Sequence, residues 1–267
     1  MHGTRMMLML CAFLVACGGR GKGPETPRMY DNLDATHRVD ILPQGHGSGV
    51  VIDAKRGLLL TNAHVVLDED GHKRDLVVNI AVGDGKPVAY PARAVAVDAK
   101  RDLAVIQVER RFESAVVLGE LSDVHTGDAI YNVGFPYDLG ELAAKGTVRT
   151  IDYDNDEYGI ENVLLAEISD GPGTSGSGVF LERDGRMIGL MRGFIPRGPI
   201  DEKTGKMIID GALVVVRVVI RIDEIRAFLD GANIHYLTQL MGAGITNAAT
   251  GTSSLEEMKI VIGPSAP

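Results

Sequence analysis

The chain has 267 residues, a formal net charge of −9, and 5% aromatic residues with no tryptophan. This length suits one large domain or two small barrels with an ordinary core. The acidity is scattered, which excludes the clustered Lys/Arg surface of a nucleic-acid binder and points to solubility instead.

The first elements are not part of the fold. Met1 to Arg5 is a short basic segment, and residues 6–16 are an apolar run too short to span a bilayer as a helix. Residues 1–16 therefore match a cleaved signal peptide. Residues 17–35, rich in Gly, Pro and charge, are expected to be a flexible tether. A domain is expected over 36–232, followed by a tail over 233–267.

Within the domain, short apolar or alternating runs predict strands at 37–42, 49–52, 57–61, 76–82, 88–97 and 102–108. Further runs at 129–133, 163–168, 179–181, 187–191 and 207–219 continue the pattern, and 33 glycines suit many tight turns. Gly83-Asp84-Gly85-Lys86 is a hairpin signal between two of them. Only 223–229 has helical periodicity. No internal repeat is evident.

The chemistry centres on Pro172-Gly173-Thr174-Ser175-Gly176-Ser177, a serine presented on a glycine-rich turn. His64 lies upstream in Thr61-Asn62-Ala63-His64-Val65, and Asp102 opens the run Asp102-Leu103-Ala104-Val105. Together they offer a nucleophile, a base and an orienting carboxylate, the parts needed to make a weak hydroxyl attack a carbonyl. Singly, each is more often a surface residue, a strand cap or a turn residue. Their order, His then Asp then Ser, is that of the chymotrypsin double barrel.

Two coincidences are set aside. Gly171 to Gly176 satisfies G-x-G-x-x-G, but Val179-Phe180-Leu181 follows, where a phosphate site needs a helix N-terminus. An α/β-hydrolase with Ser175 and His235 fails because Ser177 stands where the last glycine of the nucleophile elbow belongs. No HExxH or paired CxxC occurs, so neither metal nor cofactor is expected.

Eight segments in order resemble the trypsin-like serine proteases, and among them the bacterial HtrA branch. They are Gly45 to Asp53, Gly57 to Val66, Asp98 to Ile106, Gly127-Asp128, Gly134-Phe135-Pro136, Lys145 to Val148, the serine turn, and Gly185 to Leu190. The resemblance implies an all-β fold of two six-stranded antiparallel Greek-key β-barrels with a C-terminal helix. It makes Ser175 the nucleophile, His64 the base and Asp102, rather than Asp98, the orienting carboxylate. His46 is not expected to be the base.

The same template puts the oxyanion hole at the backbone N–H groups of Gly173 and Ser175. It aligns Ser169 with the floor of the primary substrate pocket and Arg192 and Phe194 with its wall. A neutral floor implies cleavage after small or medium apolar residues. Thr174 replaces the aspartate that activates digestive relatives through a new N-terminus, so activation of that kind is not expected. The tail is too short for the PDZ domain that often follows in HtrA proteins.

Leu14-Val15-Ala16-Cys17-Gly18 resembles the lipobox of bacterial lipoproteins, implying cleavage before Cys17 and lipidation of that residue. Cys11 would leave with the leader, so the mature domain would hold no thiol and no disulfide. The whole implies a lipid-anchored, periplasm-facing endopeptidase of polypeptide substrates, in the outer membrane because Gly18 is not acidic. Oligomeric state is left open. The alternative is a catalytically silent protease-fold lipoprotein acting as a binding protein or chaperone.

Overall fold

Every position of β3 (Leu58–Thr61), three leucines and a threonine, and nearly every position of β6 (Leu103–Val108) is buried, as expected of strands at the centre of a closed sheet. The computed structural model describes residues 29–81, 86–155, 160–195 and 216–238. Signal peptide, Cys17, the 83–85 turn and most of the expected 207–219 strand lie outside them.

The first barrel comprises β1 (Thr36–Ile41), β2 (His46–Asp53), β3, β4 (Leu76–Ile80), β5 (Val88–Asp98) and β6. Its closed order is β1-β2-β3-β6-β5-β4. The second comprises β7 (Ala129–Gly134), β8 (Leu142–Asn155), β9 (Ile160–Ile168), β10 (Gly178–Leu181), β11 (Met187–Ile195) and β12 (Val216–Arg221). It closes in the order β10-β11-β12-β9-β8-β7, and every pair in both barrels is antiparallel. In each barrel the fourth strand returns beside the first, which is the Greek-key connection. The expected fold is the observed one.

Strand β8 was not among the expected strands. Of its positions only Val148 is fully buried, and its outer face carries Lys145, Arg149 and Asp152, so no apolar alternation marks it. Its stability comes from pairing with β7 and β9 on either side.

The limits of the domain also differ from expectation. Residues 29–34, assigned to the tether, form helix α1 (Met29–Asp34). Asn32 is buried and donates to the Tyr131 hydroxyl at 2.7 Å and the Gly185 carbonyl at 2.8 Å. Helix α1 is thereby fastened to the second barrel. The closing helix, here α3 (Ile222–Gly231), buries Ile222, Ile225, Phe228 and Leu229 along one stripe. Beyond it Ile234 and Tyr236 are buried, and the Leu237 carbonyl accepts the Leu118 N–H at 2.8 Å. The folded unit thus runs past residue 232.

His37 on β1 is buried and packs against Phe112, the ring centroids 4.9 Å apart and the planes tilted by 30°. Burial, assisted by the Arg110 charge, pushes its imidazole down from 6.5 to about 4. A folded-state value below the unfolded one stabilises the fold fully above pH 6.5, and this stabilisation disappears as pH falls through 4. The full effect is roughly 3 kcal/mol. The stability of the parent against urea should therefore fall between pH 7 and 4, with a clearly smaller loss in His37→Leu.

Candidate active site

The candidate residues sit at the seam between the barrels. Strand β3 delivers the chain to α2 (Ala63–Val66), a single turn that carries His64. Asp102 stands at the tip between β5 and β6, with φ +58. Aspartate tolerates this left-handed conformation better than most residues do, and it turns the carboxylate back towards α2.

His64 and Asp102 are joined twice. The His64 backbone N–H donates to Asp102 Oδ1 at 2.9 Å. The ring Nδ1 lies 2.9 Å from Oδ2 and 3.1 Å from Oδ1. A carboxylate only accepts, so Nδ1 carries the proton and Nε2 keeps its lone pair. The Asp102 side chain is 10% exposed and that of His64 48%, which leaves the ring open to a cleft of about 760 Å³. Asn62, itself buried, donates to the Asp102 carbonyl at 3.0 Å and holds the tip in place. Asp98, the other candidate carboxylate, pairs instead with Arg101 at 2.6 Å.

Ser175 follows a tight turn. The Thr174 N–H bonds to the Gly171 carbonyl at 3.2 Å, and Gly173 has φ +100. A type II turn requires the positive φ at its third position, here Gly173, and commonly carries proline at its second, here Pro172. Its central peptide is fixed from outside, because the Pro172 carbonyl accepts the Tyr137 N–H at 2.9 Å. The N–H groups of Thr174, Gly176 and Ser177 bond to Gly171, Met191 and Thr174 carbonyls. Among the described residues, the N–H groups of Gly173 and Ser175 have no acceptor. Both residues are half-buried, and two such donors close together can receive an oxygen that carries negative charge.

The Ser175 hydroxyl faces the Arg192 carbonyl at 3.5 Å. Among the described residues no hydrogen bond joins it to His64. Arg192 nevertheless ties the parts together, because its Nε lies 3.4 Å from Asp102 Oδ2. Strand β2 does the same from the other barrel. A Cβ on Gly47 would lie 2.8 Å from the Val65 side chain and 3.1 Å from the Ser175 carbonyl.

The other candidates fall as follows. Arg192 reaches the Asp102 carboxylate and lines the cleft beside His64. Ser169 is exposed, just past the end of β9. Phe194 lies on β11, but its side chain is outside those described. His46 begins β2, and its Nε2 is 2.9 Å from the Phe135 carbonyl, against the Gly173 turn.

Ser48 was quoted only as part of a matching segment, yet it is fully buried and makes three contacts across the seam and a fourth within its own barrel. Its N–H donates to the Ser175 carbonyl at 2.8 Å, and its hydroxyl donates to the Gly173 carbonyl at 2.9 Å. The same hydroxyl accepts the Phe135 N–H at 3.2 Å, while the Ser48 carbonyl accepts the Thr61 hydroxyl at 2.8 Å. A lone hydroxyl on a buried apolar strand is the signal that could have found it.

A family model described as a trypsin-like peptidase domain matches residues 47–190. The chain belongs to this family. Among its relatives is the periplasmic pH-dependent serine endoprotease DegQ of Escherichia coli (strain K12), 28% identical over 157 residues. That match covers 58% of this chain and 32% of DegQ. The mitochondrial serine protease HTRA2 of Drosophila virilis is 31% identical over 149 residues, covering 54% and 34%. The chain thus spans about a third of the length of the curated relatives it matches. In fold it is similar to the crystal structure of Deg5, with a TM-score of 0.57 and 22% identity over 74% of this chain and 88% of that one. These relatives place it with the HtrA branch of the family.

Proposed function

We propose that the chain is a serine endopeptidase of the bacterial cell envelope, acting on unfolded polypeptides with Ser175, His64 and Asp102. The observations that carry this reading are the pair of unbonded N–H groups on Gly173 and Ser175 and a histidine whose Nδ1 is held by Asp102. In the reaction, the Ser175 oxygen bonds to the scissile carbonyl carbon as its proton passes to His64 Nε2. The carbonyl oxygen, now negative, accepts from the two free N–H groups. His64 then gives the proton to the departing amine as the C–N bond breaks, and water releases the acyl group by the same route. The hydroxyl first turns from the Arg192 carbonyl to the ring, as catalytic hydrogen bonds often tighten only with substrate bound. Ser169, neutral and exposed, favours small or medium apolar side chains at the bond that is cut.

A fluorophosphonate reagent tests this reading. The full-length chain is expected to label covalently, with labelling lost in Ser175→Ala and in His64→Ala. No labelling of the parent between pH 6 and 9 would mean a protease-fold binding protein instead.

The second part of the proposal is the anchor. Acyl chains on Cys17 would hold the domain at the outer membrane, each buried methylene contributing about 0.8 kcal/mol. Cys17→Ser is expected to move the protein from the membrane to the soluble periplasmic fraction. Unchanged retention would remove the anchor from this reading.

A further inference from the structure

Arg217 and Asp170 form a deeply buried ion pair, their side chains 7% and 1% exposed. Arg217 lies on β12 opposite Ala166 of β9, and Asp170 lies two residues beyond the end of β9. The guanidinium therefore reaches past the strand end. Its Nε meets the Asp170 carboxylate and its Nη2 donates to the Asp170 carbonyl. One side chain thus holds both the side chain and the main chain of the residue that leads into the oxyanion turn.

The next residue, Gly171, closes that turn. Its carbonyl accepts both the Thr174 N–H and the Thr174 hydroxyl, at 3.2 and 2.9 Å. The Thr174 side chain also lies beside the Asp170 carboxylate. Burial pushes the Asp170 carboxyl above the usual carboxylate range, and the Arg217 charge opposes that rise only in part.

Cohesion of the fold does not require such a pair. Apolar neighbours Val163, Leu165, Val216 and Val218 already join β9 to β12. Replacing a buried ion pair by apolar residues of similar volume is often neutral or stabilising, whereas removing one partner is damaging. What the pair adds is direction, because the planar guanidinium holds its acceptors in a fixed fork.

We propose that Arg217 and Asp170 are positioning residues, fixing the start of the Gly171–Thr174 turn so that the Gly173 N–H stays aimed at the developing oxyanion. This role presupposes the peptidase chemistry proposed above. It also gives the chain an internal substitute for an activating ion pair at the residue before the nucleophile, where Thr174 carries no charge.

The test compares the full-length parent with the double variant Arg217→Met/Asp170→Leu and with Arg217→Lys. The readouts are thermal midpoint, kcat and KM on an unstructured polypeptide, and amide hydrogen exchange of the 171–177 peptide. The double variant is expected to melt near the parent. Its kcat should fall about 100-fold, the scale of a misaimed oxyanion donor, with KM nearly unchanged. Exchange in 171–177 should quicken about tenfold or more while β9 and β12 hold theirs, consistent with local opening rather than global unfolding. Arg217→Lys keeps the charge but not the fork, and should fall between the two. If the double variant does not fold, Arg217→Lys decides the matter on the same readouts. Parent-like kcat and parent-like exchange in the folded variants would overturn the proposal. A parent that neither labels nor cleaves defeats the peptidase reading, and exchange of 171–177 then decides alone whether the pair positions the turn.

Discussion

Asp102→Asn is expected to lower kcat by about 10⁴ while leaving the fold nearly unchanged. Asparagine accepts the φ of +58 at this position as readily as aspartate does. Its amide oxygen can also take over the bond from the His64 backbone N–H, made at 2.9 Å by Oδ1. The amide nitrogen then stands where Oδ2 meets the ring. Two donors cannot face each other, so Nδ1 must give up its proton and Nε2 must carry it. The ring then presents an N–H to Ser175 and cannot act as base. Arg192 Nε, 3.4 Å from Oδ2, would then face that nitrogen in place of a carboxylate oxygen. Steady-state kinetics with a thermal melt check this. A variant with parent-like kcat would show that Asp102 does not set the tautomer.

Gly173→Ala should remove activity by a different route, with kcat lower by at least about 100-fold to 1,000-fold. An added methyl would stand 2.2 Å from His46 Nε2 and 2.4 Å from the Phe135 carbonyl oxygen, at a φ of +100. The histidine ring can shift, but the Phe135 carbonyl is main chain. The turn must therefore move or its central peptide must rotate, and either change takes the Gly173 N–H away from the oxyanion. Strain of this kind also costs of order 1–3 kcal/mol of stability. A drop in kcat larger than the loss of stability explains, with His64→Ala as the inactive control, is the expected pattern.

Much of this site was legible because its signals are local. A serine between glycines, a histidine after an apolar strand and an aspartate at a strand start each sit in a short readable context. Pro172-Gly173 even encodes the turn type. The barrels were legible where strands carry an unbroken apolar run, as in residues 49–52 of β2 and 103–106 of β6. Strand β8 was not, because its pairing partners rather than its own side chains make it a strand. Asn32 was missed for a related reason. Its partners are 99 and 153 positions away, and nothing near it marks a buried amide. The Asp170–Arg217 pair spans 47 positions and was equally invisible.

Ser48 bonds to the main chain of Gly173, Phe135 and Ser175, and so stitches one half of the molecule to the other at the candidate site. Mild heat or chaotrope that slips the halves by a fraction of an ångström would silence the chain while both cores stay intact. Inactivation should accordingly run ahead of melting, and substitutions on the outward faces of either half should be forgiven so long as this rivet holds.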